Sequence, residues 1–228
     1  MALVCGIDLG SLRTLSWVAW LEDGAFLLDV YIPSRERPLP DSPSGWPPSF
    51  FGIDGPQGLP VPGQRTRRAD RDANVPTRSL PVTREEMAVW PLYRSFIEAG
   101  VELFWAVHEQ ELASILGLVP APGAEGTVFE TYPRLVFTRL FPGVRLPSKR
   151  KDPFAYIETV WNRLQGAGYT CDGVVRPGVD HCDAMLCALA AEACLHEDGR
   201  VPAGTVGLPP VVDPEGRVLR EGFIVAPG

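Results

Sequence analysis

Lysine is nearly missing from this chain: of its 21 basic residues only Lys149 and Lys151 are lysine, and the other 19 are arginine. The skew reads as codon bias in a GC-rich genome, since the proteome-wide thermophile signal favours lysine and glutamate. Positive charge is also outnumbered, with a formal net charge of −7. That excludes a sequence-blind nucleic-acid coat protein, which needs a net basic footprint to release counterions. An acidic protein that acts on nucleic acid must use a local basic strip or metal ions instead. The five cysteines, Cys5, Cys171, Cys182, Cys187 and Cys194, are odd in number and form no CxxC pair. A disulfide framework and a closely spaced zinc site are therefore not expected, and reduced buried thiols are. No apolar stretch approaches the ~20 residues of a membrane span. The opening run has no basic n-region and stops at Asp8, so it does not read as a signal peptide. These features predict a cytoplasmic protein without a membrane partner.

What is present is an ordinary globular composition: 45% apolar, 21% charged and 9% aromatic residues over 228 positions. Disordered, collagen-like and fibrous chains are excluded. A chain of this length buries about 70% of its unfolded surface and needs no staple to fold. Length predicts one domain over residues 1–228. With 23 glycines and 24 prolines, loops are plentiful.

Hydrophobic patterning predicts the order of elements. Leu3 to Ile7 reads as a buried strand, Thr14 to Leu21 and Ala25 to Ile32 as a pair joined by Asp23-Gly24, a strong hairpin signal. Residues 33–48 hold six prolines and read as a loop. Ser49 to Asp54 is the next strand, and Val61 to Arg78 is irregular. Thr83 and Glu86 form a capping-box pattern that opens one kinked helix or two, to about Leu118. Thr127 to Tyr132 is strand-like, and Pro133 opens a short helix to about Leu140. Asp152-Pro153 opens a helix to about Gly166. Asp180 or His181 starts an alanine-rich helix to about His196, and residues 205–226 read as a terminal hairpin. Hairpins first and βα units later predict an α/β fold: a ribonuclease H-like mixed sheet with an antiparallel start and parallel units after it, flanked by helices.

Five acids stand at the ends of these elements: Asp8, Asp54, Glu130, Asp180 and Asp183. Carboxylates that converge unpaired in a low-dielectric cleft are costly, and a divalent metal offsets that cost. Mg²⁺ takes one or two carboxylates plus water and phosphate oxygens. Two such ions ~3.5–4 Å apart support phosphodiester hydrolysis. Each acid also has a structural reading. Asp180 suits a helix N-cap and Asp183 the first turn; Asp54 could cap a turn, Asp8 could form one, and Glu130 could pair with Arg134.

Gly6-Ile7-Asp8, Gly52 to Pro60 (GIDGPQGLP), Phe129 to Pro133 (FETYP), Asp180 to Ala184 (DHCDA) and Cys187 to Ala191 (CALAA) occur in this order. Together they resemble the DUF429 family of predicted ribonuclease H-like nucleases, from about Leu3 to Ala191. The GIDGPQGLP stretch is the most distinctive. The resemblance implies a metal-dependent nuclease acting on DNA or RNA, with Mg²⁺ or Mn²⁺ as cofactor. By motif, Asp8 and Asp54 become strand-end ligands and Asp183 the last-helix ligand, with Asp180 able to share that duty. Glu130 belongs to the family's third signature and joins Asp8, Asp54 and Asp183 as a candidate catalytic residue.

The basic strip supplies candidate phosphate contacts at Arg65, Arg67, Arg68, Arg71 and Arg78, with Lys149 further on, because arginine grips phosphate bidentately. Its structural reading is a solvated loop paired with Asp70 and Asp72. His181, between two aspartates, could lie near the site. Trp46 sits in the proline-rich loop, and the other tryptophans read as core. An alternative reading is a nucleotide- or phosphate-binding module. Asp8 to Ser11 (DLGS), with Arg13 and Thr14, resembles the first phosphate loop of the actin, Hsp70 and sugar-kinase group. That group needs two such domains, which 228 residues cannot supply.

Overall fold

The computed structural model describes all residues except 1, 76–78, 121, 172, 174–175 and 198–199. Arg78 of the basic strip lies outside the described residues. The chain opens with β1 (Val4–Asp8), β2 (Ser16–Glu22) and β3 (Ala25–Tyr31), paired antiparallel in sequence. Asp23 and Gly24 both take positive φ, as a two-residue hairpin turn of matching twist requires. The proline-rich segment then crosses to β4 (Phe50–Asp54), which pairs parallel with β1.

Helices α1 (Arg68–Asp72), α2 (Arg84–Ala88) and α3 (Arg94–Glu109) follow, then a short β5 (Ser114–Ile115) and β6 (Thr127–Thr131). The remaining elements are α4 (Pro133–Leu140), α5 (Pro153–Gly166), β7 (Thr170–Cys171), α6 (Val179–His196), β8 (Val206–Asp213) and β9 (Val218–Val225). The sheet runs β7-β3-β2-β1-β4-β6-β9-β8, and β5 also pairs with β6. After the antiparallel start, β4, β6 and β9 run parallel to β1. This is the mixed sheet that the hydrophobic pattern predicts.

Strand alternation sends successive side chains to opposite faces. On one face Val4, Ala19, Phe129 and their neighbours pack against α6, α4 and α5. On the other, Cys5, Ile7, Trp20, Phe51 and Ile53 pack against Ala99, Leu103, Phe104 and Val107 of α3. Two glycines thin the first face. A Cβ on Gly6 would stand 2.0 Å from the Ala184 carbonyl oxygen, and one on Gly52 2.3 Å from that of Cys187. The backbone of α6 therefore rests directly on β1 and β4.

Several boundaries depart from expectation. The helical run expected to Leu118 stops at Glu109, and Glu111 turns to a positive φ. Ala113, Ile115 and Leu116 continue the apolar pattern because they are buried beside β6 rather than on a helix. Helix α6 is capped at Gly178, not at Asp180 or His181, and the Gly178 N–H donates to His181 Nδ1. Short elements α1, β5 and β7 carry no pattern long enough to announce them. Cys5, Cys182, Cys187 and Cys194 are buried free thiols, and no described helix is long and apolar enough to cross a membrane.

Candidate metal centre

Asp8 and Asp54 are the last residues of β1 and β4, and the parallel register pairs them directly. Adjacent strands lie about 4.8 Å apart, so the two carboxylates share one face at the strands' C-terminal edge. The third acid arrives through helix packing. Gly6 and Gly52 precede the two aspartates by two residues and so lie on the same face. They admit the α6 backbone at Ala184, Cys187 and Ala188. Asp183 stands four residues before Cys187, on the same helix face. It is thereby brought to the strand ends, and single oxygens of Asp8, Asp54 and Asp183 all lie within 4.8 Å of one another.

Three acids this close resist ionisation. Burial and the charge of Asp183 push Asp54 up to about 7. Burial, then Asp183 and Asp54, raise Asp8 well above the carboxylate range. Burial also raises Asp183, against the opposing pull of Lys149 and Tyr156. Lys149, in the turn before α5, donates to Asp183 Oδ2, and the Tyr156 hydroxyl of α5 donates to Oδ1. Burial works against the Lys149 charge, but Asp183, Asp8 and Asp54 outweigh it and hold the ammonium firmly protonated. The nearby Cys182 and Cys187 thiols are raised by burial and stay neutral. The donor set is thus hard carboxylate oxygen alone, which suits a hard divalent cation. An arrangement of acids with too little compensating charge is one that a divalent cation stabilises.

The other residues singled out from sequence occupy distinct places. Asp180 lines the same cavity but is outside the three-carboxylate cluster. Glu130 pairs in register with Ile53 rather than Asp54, so it points to the opposite face. There it accepts from Arg67 through both oxygens, at 2.7 Å and 2.6 Å, and from the Gln57 N–H at 2.6 Å. Its ion-pair partner is Arg67, not Arg134. Arg67 is itself buried and also holds Asp70. Arg65 pairs with Glu86 and Arg68 with Asp72, while Arg71 donates to the Thr66 carbonyl. Among the described residues expected to contact phosphate, Lys149 stands at the cluster, paired with Asp183. His181 is committed to the start of α6, and burial lowers it. Trp46 is exposed, Trp20 and Trp105 are core, and Trp17 lines the cavity.

The GIDGPQGLP stretch now has a physical account. Asp54 joins the cluster and Pro56 packs on Gly100 of α3. The Gln57 N–H holds Glu130, and Leu59 hydrogen-bonds Leu219 and Glu221 of β9. The segment ties the strand end that bears Asp54 to α3, β6 and β9. By contrast, the turn resembling a phosphate loop spends its donors on itself. Gly10 N–H donates to Ser16 Oγ, Ser11 N–H to Thr14 Oγ1 and Arg13 N–H to Ser11 Oγ.

Beside the cluster lies a cavity of about 480 Å³ lined by Asp8, Asp54, Asp180, Lys149 and the Arg67–Glu130–Asp70 group. Trp17, Tyr93, Phe96 and Tyr132 add aromatic surface to it. Sequence reading missed Tyr156, because a tyrosine at helical spacing looks like core. It also missed Gly6 and Gly52 as the seats of α6, and the Arg67–Glu130 pair that links segments 63 positions apart.

No curated protein and no solved structure matches the chain. A family model described as "Protein of unknown function (DUF429)" matches residues 6–206, and the span contains every acid of the cluster. The chain therefore belongs to the DUF429 family.

Proposed function

We propose that this protein is a metal-dependent phosphodiester hydrolase, a nuclease, with Mg²⁺ or Mn²⁺ held by Asp8, Asp54 and Asp183. The observation that carries the reading is the convergence of three carboxylates from three separate elements within 4.8 Å. A cavity that could admit a phosphate ester opens beside them. Buried acids are costly unless a cation compensates them, so an idle cluster of this kind would be selected against on stability alone.

A divalent ion bound there supplies Lewis-acid stabilisation to charge developing on phosphoryl oxygens and favours deprotonation of water. The chain's own groups have definite work beside it. Asp8 and Asp54 present carboxylates at fixed strand-end positions. Tyr156 holds the rotamer of Asp183 through its hydroxyl. Lys149 keeps a positive charge at the cavity wall, where it can meet a phosphate oxygen. Asp180 lines the same cavity outside the three-carboxylate cluster. Glu130 serves by positioning: it fixes the turn after Asp54 through the Gln57 N–H.

The test is a Mn²⁺ and Mg²⁺ titration with labelled single- and double-stranded DNA and RNA, beside Asp54→Asn. Metal-dependent cleavage by the wild type that is lost in the variant is the expected result. Absence of both cleavage and a metal-induced shift in Tm would sink the proposal.

A further inference from the structure

The cavity that adjoins the carboxylates is lined both by charged groups, Asp8, Asp54 and Lys149, and by aromatic rings, among them Tyr93 and Phe96. Phe96 packs against the cluster that holds Leu80. The cavity's volume of about 480 Å³ falls within the range of small-molecule pockets. Tyr93 is unusual in three respects. It holds a left-handed conformation, φ 53°, at the N-cap of α3, where a bulky side chain is strained. Its side chain makes no capping hydrogen bond. The residue is 59% exposed although it borders the cavity. The strain places an aromatic face at the cavity mouth that the fold itself does not use.

Charge points the same way. Among the described residues lining the cavity, the cations are Arg67 and Lys149, and Arg67 is locked between Asp70 and Glu130. Arg65 and Arg68, two of the expected phosphate contacts, are paired with Glu86 and Asp72. Binding an internal run of polymer requires several free cations, one for each phosphate neutralised. One phosphate at the carboxylates and one aromatic base on the rings require only what the cavity has.

We infer that the cavity takes a single nucleotide unit, its phosphate at the Asp8–Asp54–Asp183 end and its base stacked on Tyr93 and Phe96, so that the substrate is a free nucleotidyl phosphodiester or a strand end rather than the interior of a polymer. This rests on the proposed hydrolase function and names its substrate class. Stacking on aromatic side chains tolerates any base, because each has a π-face. Specificity for base identity is therefore weak.

The test is calorimetric binding to the full chain with Mn²⁺, using adenosine 5′-monophosphate, thymidine 5′-monophosphate and base-free ribose 5-phosphate. Both nucleotides should bind at least about fivefold tighter than ribose 5-phosphate. Tyr93→Ala should erase that difference, and Tyr93→Phe should retain it. Circular single-stranded DNA should not displace adenosine 5′-monophosphate, and terminally phosphorylated linear single-stranded DNA decides between the two sources. If only the free nucleotides bind, the source is the small diester; if the linear strand binds as well, it is the strand end. Equal binding of nucleotide and ribose 5-phosphate, or displacement by the circle as strong as by the linear strand, overturns the inference and leaves the metal site standing. Failure of Mn²⁺ itself to bind overturns the hydrolase reading, and this inference with it.

Discussion

The carbonyl oxygen of Cys187 occupies the space in which a side chain on Gly52 would begin: a Cβ there would stand 2.3 Å from it. This contact sets the depth at which α6 meets the sheet, and so the position of Asp183 relative to Asp54. Gly52→Ala must push a helix backbone away rather than a flexible side chain. Overpacking of this kind costs about 1–3 kcal/mol or more. The variant is expected to lose that stability in denaturant unfolding and also to lose any Mn²⁺-induced rise in Tm. A variant that keeps its full metal response would show that the helix seat does not position the carboxylate.

Asp54→Asn removes one charge from a crowded cluster. The metal-free variant is expected to be more stable than the metal-free wild type at neutral to alkaline pH, by on the order of 1–3 kcal/mol. In Mn²⁺ the order reverses. Urea unfolding in chelator and in Mn²⁺ checks both halves.

The pH dependence follows from the direction of the shifts. Asp8, Asp54 and Asp183 are all raised in the folded protein. The native state therefore binds more protons than the unfolded chain between about pH 4 and the native pKa, and stability falls across that window as pH rises. For Asp54 the upper end is about 7. The stability difference between metal-free wild type and Asp54→Asn should widen from about pH 4 to about pH 7 and then level off. Metal affinity should climb over the same range, since the cation requires deprotonated ligands. A flat difference across that range would contradict the assignment.

Lys149 lends the cluster a nearby positive charge and competes with an incoming cation for Asp183. Lys149→Met should weaken the metal-free fold and tighten Mn²⁺ binding by about tenfold or more, as expected from removing a like charge a few ångströms away. Calorimetric titration measures the second effect, and unchanged or weaker binding would show that Lys149 does not compete.

Glu130→Gln separates a positioning role from a ligand role. It leaves Arg67 paired with Asp70 but turns one amide N–H toward a guanidinium donor, a loss of about 1–3 kcal/mol. Mn²⁺ affinity at saturating folding conditions should stay near the wild-type value. A collapse of metal affinity without loss of stability would make Glu130 a ligand.

Hairpin signals, proline-opened helices and buried strand runs are local, so most of the element order was readable before any coordinates. Asp23-Gly24, Pro133 and Asp152-Pro153 each act within one turn, and each stands where local chemistry puts it. Asp8, Asp54 and Asp183 were legible as candidates for the same reason, since each ends or opens an element. Glu130 and Arg67 were not separable from them. Sheet face depends on pairing register, and a buried ion pair joins residues far apart in the chain. Local pattern thus sufficed for the elements, their order and the chemistry available at their ends, because propensity, capping and alternation operate over a few residues. Which carboxylates meet was decided by tertiary structure: by the register that pairs Asp8 with Asp54, and by two glycines that let α6 close on the strands.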